Sequence, residues 1–210
     1  MKTLGLSGGM VVLMGIAVAC ERASGPAAPT ANAIRLSANA PSFSASASNQ
    51  HMRWDIISVD FSTGTLSAGG IASARANDGS KITLTGSGTF RSNPGNPQDV
   101  TGGGTWQTAT GSGTYEVTEF VRFEVAPGTP PLPNDNIGNS ADNRAGLLVV
   151  RIAYSDGSKG TLVVSCHLVG TSDAVFEGVT ASRGFVDYWN REAPPAPPGN
   201  ANRTTFHVID

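Results

Sequence analysis

From His51 onward, the sequence consists of short strand-like segments separated by Gly, Asn and Asp. Segments of this length with turn residues between them are typical of a meandering antiparallel sheet. The 26 glycines and the low charged fraction of 14% also favour strands joined by tight turns. The chain is therefore predicted to be all-β.

Two copies of one turn sequence predict two related hairpins. Asp78-Gly79-Ser80-Lys81 is repeated as Asp156-Gly157-Ser158-Lys159. The Asp-Gly pair in each copy supplies residues that tolerate positive φ, as tight hairpin turns require. We therefore expect segment 71–76 to pair with 81–90, and segment 147–154 to pair with 161–169.

A second repeat, Gly-x-Gly-Thr-aromatic, begins at Gly86, Gly102 and Gly111. Glycines at these places allow sharp bends or a close approach of neighbouring backbones, and no helical pattern follows that would make a phosphate-binding loop. Further strands are predicted at 53–61, 175–180, 185–189 and 204–209. The sequence thus predicts a single antiparallel β-barrel of about 8–10 strands, with a β-sandwich as the alternative.

The N-terminus has the features of an export signal. A lysine at position 2 precedes an apolar stretch that is short for a membrane span, so residues 1–19 are predicted to be a signal peptide. The stretch ends in Ala17-Val18-Ala19-Cys20, which resembles the lipobox of bacterial lipoproteins. That resemblance implies acylation of Cys20 and a membrane anchor. An ordinary signal-peptidase site, Ala17-Val18-Ala19, is the alternative, and it would leave the protein secreted or periplasmic.

Composition divides the rest of the chain. Residues 20–48 are rich in Ala, Ser and Pro, which predicts a disordered tether; Glu21 after the lipid cysteine fits an outer-membrane location. Residues 49–210 are predicted to form one domain. Its two long loops, 126–145 and 190–202, lack core-forming residues; the first is either a lid or binding loop or a plain surface excursion.

Charge and ligand residues exclude several partners. The net charge is only -2 and the basic residues are scattered, so no nucleic acid is expected. The two cysteines, Cys20 and Cys166, cannot form a disulfide framework. The histidines at 51, 167 and 207 form no close-spaced ligand pair, so neither a metal nor another cofactor is predicted.

Strand alternation places several polar residues in otherwise apolar rows. Glu119 falls in the middle of such a row, where a carboxylate must be paired, hydrogen-bonded or protonated, and Arg151 shares a face with Leu147 and Val149. If these rows face into a barrel, a ligand site is expected there. Its candidate residues are Glu119, Arg151, Asp55, Asp187, Tyr115 and Trp189. A structural ion pair, or a bulge that returns Glu119 to solvent, is the alternative.

Cys166 and His167 suggest a nucleophile and a base, but neighbours on a strand point to opposite faces. Cys166 is instead expected to be a small buried hydrophobe. Ser165 and His167 share a face, yet they are too far apart for a direct hydrogen bond. A hydrolase dyad here remains a minor hypothesis.

The stretches 165–170 and 176–185 resemble uncharacterised secreted bacterial β proteins, a resemblance that implies no activity. Three hypotheses follow from the sequence. The first is an envelope protein, anchored through Cys20, whose domain binds a small molecule or a surface glycan. The second is an isomerase or hydrolase that uses Glu119 as an interior carboxylate. The third is a structural envelope protein with a filled interior.

Overall fold

The computed structural model describes residues 49–130, 133–195 and 200–209, all of which belong to the unit Ser42–Asp210. The predicted signal peptide, Cys20 and the tether lie outside the described residues. Within the described part, fourteen strands form one sheet, and one short 3-10 turn covers Ser140–Asp142. The strands are β1 (His51–Asp60), β2 (Thr65–Ala68), β3 (Ala72–Arg75), β4 (Lys81–Leu84), β5 (Ser87–Arg91), β6 (Gly103–Thr108), β7 (Gly111–Ala126), β8 (Asn134–Asp135), β9 (Asn143–Tyr154), β10 (Lys159–Cys166), β11 (Gly178–Arg183), β12 (Val186–Tyr188), β13 (Asn190–Arg191) and β14 (Arg203–Val208).

Six of these strands close into an antiparallel β-barrel, which confirms the predicted fold class, although the ring has fewer strands than the 8–10 predicted because the other strands lie outside it. Around the ring the order is β1, β5, β6, β7, β9 and β14, and β14 pairs with β1 again. The other strands extend the sheet outside the ring. Strand β10 is excluded from the ring because it shares one edge of β9 with β14: β10 pairs with residues 146–153 of β9, and β14 pairs with residues 143–144.

Both predicted hairpins are present and have the same turn. Strands β3 and β4 pair antiparallel, as do β9 and β10. In each turn the glycine has a positive φ, 82° at Gly79 and 87° at Gly157. The amide of the following serine donates to the aspartate Oδ1, from Ser80 to Asp78 at 2.9 Å and from Ser158 to Asp156 at 3.0 Å.

Large side chains fill the inside of the ring. Met52, Trp54 and Ile56 alternate along β1 and are all fully buried there. Phe90 lies 4.9 Å from Phe123 between ring centroids, and other aromatic rings of the core pack against this pair. The barrel is therefore closed around a solid apolar core.

Glycines of the first two copies of the repeat lie where neighbouring backbones approach closely. A Cβ atom at Gly104 would lie 2.1 Å from the Thr85 carbonyl oxygen, and one at Gly88 would lie 2.1 Å from the Thr101 carbonyl oxygen. The Trp54 ring covers this contact, since a Cβ at Gly102 would lie 2.9 Å from its Cζ2 atom. The structural role predicted for these glycines is confirmed.

A second, smaller apolar cluster lies on the outer face of β1. It contains Ile57, Val59 and Leu66, with Phe61 and Ile137 packed against it. Ile137 belongs to the long loop between β7 and β9, in which β8 pairs in parallel with β2. This loop therefore covers the outside of the barrel wall along one flank.

Candidate functional site

Glu119 lies outside the barrel, so the prediction that it points inward is wrong. Strand β7 shifts register between Val117 and Glu119 and again between Phe120 and Arg122. Each bulge adds a residue, so the side chains packed on the core do not follow strict alternation. They are Tyr115, Val117, Phe120 and Phe123. The alternative expectation, a bulge that exposes Glu119, is the one realised.

Arg151 is also exposed, because the inward residues of β9 are Leu148, Val150 and Ile152. Its expected location in the barrel interior is therefore wrong as well. The structure nevertheless brings Arg151 and Glu119 together, since they are direct register partners on β9 and β7. They line an open polar groove of about 370 Å³ on the outer surface.

The remaining candidates are dispersed. Tyr115 is buried in the core, where its hydroxyl donates to the Thr85 carbonyl at 2.8 Å and burial raises the pKa of its phenol. Asp187 and Trp189 are exposed, and the Trp189 indole donates to Asn77 at 3.0 Å. Their predicted inward orientation is wrong because the residue buried from this strand is the intervening Tyr188.

Asp55 is fully buried, but on the flank of the barrel and not in its interior. It accepts hydrogen bonds from Arg53 Nε at 2.7 Å and Arg53 Nη2 at 2.8 Å. Burial raises the pKa of Asp55, and the contacts with Arg53 offset this only in part. The predicted convergence of Asp55 with Glu119 and Arg151 in the barrel interior is therefore wrong.

A polar cluster joins the long loop to β14 beside Asp55. His207 Nε2 donates to Asp135 Oδ2 at 2.7 Å, and Asp135 Oδ1 accepts the amides of Ile137 and Gly138. Burial by itself raises the pKa of Asp135, but these hydrogen bonds lower it overall. The cluster fixes the loop against the outer face of the barrel.

Between this loop and the barrel lies a cavity of about 220 Å³, here called the flank cavity. Its apolar wall comes from the outer cluster on β1 and β2, together with Pro130 of the loop. Its polar residues come from the end of β10, the segment before β11 and the start of β14. Its lining includes Ile57, Val59, Phe61, Leu66, Leu168, Glu177 and Arg203.

Glu177 bridges the two strands that share the edge of β9. Its Oε2 accepts the amide of His167 at 2.6 Å and its Oε1 accepts the amide of Thr204 at 2.6 Å. Burial raises the pKa of Glu177 to about 7, although the two amides and the charges of Arg203 and Arg191 act in the opposite direction. Strands β10 and β14 do not pair with each other here, and the Glu177 carboxyl group accepts the two backbone amides in place of a strand partner.

Arg203 lies at the start of β14 and lines the same cavity. Its guanidinium carbon is 4.7 Å from the centroid of the Phe61 ring, within the range of a cation–π contact. Burial lowers the pKa of Arg203, and the charge of Glu177 opposes this. Its Nε is buried and has no hydrogen-bond partner among the described residues.

Cys166 and His167 border the cavity without forming a nucleophile and base pair. The Cys166 thiol is fully buried, which raises its pKa and confirms its expected role as a small hydrophobe. His167 Nδ1 is 2.7 Å from the Val175 carbonyl oxygen, an acceptor that requires a proton on this nitrogen. Ser165 Oγ is buried with no hydrogen-bond partner among the described residues, so it is not linked to His167.

Neither Glu177 nor Arg203 is predicted from the sequence to be a site residue. Glu177 alternates with Val175 and Val179, the same pattern that singled out Glu119. Arg203 precedes the predicted strand 204–209 and therefore carried no face assignment. Their approach depends on how β14 and β10 share β9, which local periodicity does not encode.

No group of three or more His, Cys, Asp or Glu side chains in the described part of the chain is placed to hold a metal ion. No helix in that part of the chain has the length and hydropathy to cross a membrane.

No family model, curated protein or solved structure matches the chain.

Proposed function

We propose that the domain binds a small, mainly apolar molecule in the flank cavity. The observation that carries this proposal is the mixed lining of the cavity, which combines the apolar side chains of Ile57, Val59 and Leu66 with the charged groups of Glu177 and Arg203. Small-molecule sites combine an apolar lining with a few charged or polar groups that orient the ligand. The barrel interior offers no comparable room, since Trp54 and the core aromatics occupy it.

The volume of the cavity limits the ligand. An engineered apolar cavity of about 150 Å³ accommodates benzene, and pockets for drug-sized ligands begin at about 300 Å³. A cavity of about 220 Å³ lies between these sizes. It suits one ring or a short aliphatic chain that carries a single polar group.

The same proposal places the protein outside the cytoplasm, in a bacterial cell envelope. The apolar leader and the lipobox-like Ala17-Val18-Ala19-Cys20 support export and acylation at Cys20. With this anchor and the residue after it, the preferred location is the outer membrane. A secreted or periplasmic form follows if Cys20 is not acylated.

Benzyl alcohol, a single ring with one hydroxyl, tests binding. Titrated into the purified protein and followed by NMR, it is expected to shift the amide signals of Ile57 and Leu168 saturably. Leu66→Trp fills the cavity and should abolish these shifts. The control Val121→Trp adds the same bulk at an exposed site on β7 and should leave them unchanged.

Two results would contradict binding in the flank cavity. One is the absence of saturable shifts in the unmodified protein. The other is a set of shifts that Leu66→Trp leaves in place. Either result would favour the hypothesis of a structural envelope protein, for which the filled barrel interior is already suitable.

A second candidate function, an isomerase-type enzyme, is favoured by the position of Glu177. A carboxyl group with a pKa of about 7 at a cavity wall has the properties of a general base that works near neutral pH. Glu177 would take the role that the sequence analysis assigned to Glu119. The α-carbon of a bound ketone would lose its proton to the Glu177 carboxylate and regain one from the same group.

Cyclohexanone in D₂O distinguishes the enzyme from the binder. An enzyme replaces the α-hydrogens with deuterium, with a rate that rises through about pH 7 and is lost in Glu177→Gln. A binder leaves the α-hydrogens at the rate found in buffer. Absence of protein-dependent exchange, with cyclohexanone shown to be bound, rejects this second candidate.

A further inference from the structure

We propose that the occupant of the flank cavity is a small monocarboxylic acid, bound as its anion with the carboxylate on Arg203. This inference rests on the proposed binding function and specifies its ligand class. It is carried by the unsatisfied donors of Arg203, by the charges around the cavity and by the shape of the apolar wall.

Arg203 has hydrogen-bonding capacity that the protein does not use. Its Nε–H is buried without an acceptor, and no carboxylate of the described residues lies within 4.0 Å of its guanidinium. A buried donor without a partner is costly, so an acceptor supplied by a ligand is favoured. The Phe61 ring covers one face of the guanidinium, whereas the N–H groups point along its edge.

Glu177 does not meet this need. Both of its oxygens already accept backbone amides, those of His167 and Thr204. It lowers the electrostatic cost of burying Arg203 from a distance but forms no direct ion pair with it. Arg203 lines the cavity and has no carboxylate partner among the described residues, so its guanidinium is a binding group for the carboxylate of a ligand.

The charges around the cavity favour a single negative charge on the ligand. Arg203 in the cavity lining and Arg191 outside it are the cations that act on Glu177, so two positive charges lie around one carboxyl group. Nearby, Asp55 is paired with Arg53, and Asp135 accepts a hydrogen bond from His207. A monoanion neutralises the remaining positive charge, whereas a dianion such as a phosphate monoester leaves a buried excess of negative charge beside Glu177.

The apolar wall excludes a purely polar anion. Ile57, Val59 and Leu66 form the apolar part of the lining, and Ile57 is the register partner of Arg203. Removing an aromatic ring or short acyl chain from water stabilises the complex in proportion to its buried area. An aromatic or short aliphatic carboxylate uses both parts of the lining, and inorganic phosphate or acetate uses only one.

Benzoate and benzyl alcohol test the inference because they share the ring and differ in charge. Calorimetric titration of the purified protein should give benzoate an affinity at least about tenfold above that of benzyl alcohol. Arg203→Gln should remove this preference, so that benzoate no longer binds more tightly than benzyl alcohol. The matched control Arg122→Gln removes an exposed arginine of β7 and should retain the preference.

A pH series gives a second readout that does not depend on a variant. Protonation of Glu177 near pH 7 removes the negative charge closest to Arg203. Benzoate should therefore bind more tightly as the pH falls from about 8 to about 6, while benzyl alcohol stays unaffected. If Arg203→Gln does not fold, Arg203→Lys keeps the charge without the planar fork and should lose most of the preference.

The outcomes separate this inference from the proposed function. Binding of benzyl alcohol with no preference for benzoate overturns the carboxylate inference and leaves the binding function standing. Absence of binding by both compounds overturns the binding function itself. Retention of the benzoate preference in Arg203→Gln also overturns the inference, because the anion is then held elsewhere.

Discussion

The two faces of strand β1 show how differently one barrel wall is used on its inside and its outside. Met52, Trp54 and Ile56 point inward and are covered completely by close-packed core residues. Asp55 and Ile57 point outward, beneath a loop that brings its own polar groups and leaves a cavity. A small closed barrel fills its own interior, so room for a ligand arises where a second layer covers the wall.

Strand pairing explains why the cavity lies on this flank. Strands β10 and β14 meet the same edge of β9, and the carboxyl group of Glu177 spans the gap between them. Regular pairing would have closed this gap with backbone hydrogen bonds. The irregularity that places a charged group here also opens the space beside it.

The largest expected effect comes from the inner face. Trp54→Ala should lower the free energy of unfolding by about 3–5 kcal/mol, because it removes a fully buried ring from a packed core. Phe61→Ala, on the outer face, should cost only about 1 kcal/mol, since that ring is partly exposed and borders a cavity. Urea unfolding followed by circular dichroism measures both changes.

Val121→Ala, at an exposed position of β7, is the control for this pair and should change stability by less than about 0.5 kcal/mol. Equal losses for Trp54→Ala and Phe61→Ala would contradict the distinction between a solid interior and a looser flank.

The sequence was sufficient for the fold class and the hairpins because both depend on local patterns. The Asp-Gly turns at Gly79 and Gly157 need only a few neighbouring residues to define them. The glycine repeat likewise indicated close backbone approach, which Gly88 and Gly104 now show. Alternation also grouped Arg151 correctly with Leu147 and Val149.

The site could not be predicted because it depends on departures from regular pairing. Two bulges in β7 turn Glu119 outward, and strict alternation places it inward. Alternation also divides a strand into two sets of residues without indicating which set is buried. It therefore allows an inward Trp189, whereas Tyr188 is the residue buried in the core. The contact between Asp135 and His207 joins residues far apart in the chain.

The next largest effect is the pH dependence of stability that Glu177, in the lining of the flank cavity, is expected to cause. Glu177 has an ordinary pKa of 4.5 that burial raises to about 7 in the folded protein. The folded chain therefore binds this proton more tightly than the unfolded chain does. Its contribution is fully present below about pH 4.5 and is lost as the pH rises to about 7, for a total of about 3 kcal/mol.

Glu177→Gln should flatten this part of the stability curve, because an amide does not titrate. The variant should be less stable than the unmodified protein at about pH 5, since its amide group can accept only one of the two backbone hydrogens. The two curves should approach each other at about pH 8. Urea unfolding at a series of pH values measures both curves. If the stability of the unmodified protein does not change between about pH 5 and about pH 8, the pKa of Glu177 is not raised by burial.

The smallest expected effect is that of a substitution at Glu119, a candidate site residue predicted from the sequence. Glu119 lies on the outer surface opposite Arg151, where solvent screens its charge. Glu119→Gln should therefore change the free energy of unfolding by less than about 0.5 kcal/mol and leave binding of benzyl alcohol unchanged. Thermal unfolding and the NMR titration of the flank cavity measure the two quantities.

A loss of more than about 2 kcal/mol, or weaker binding, would mean that Glu119 reaches the interior after all. The division between a filled interior and a ligand-binding flank would then fail, because an interior carboxylate needs partners that the core of Trp54 and Phe90 does not supply.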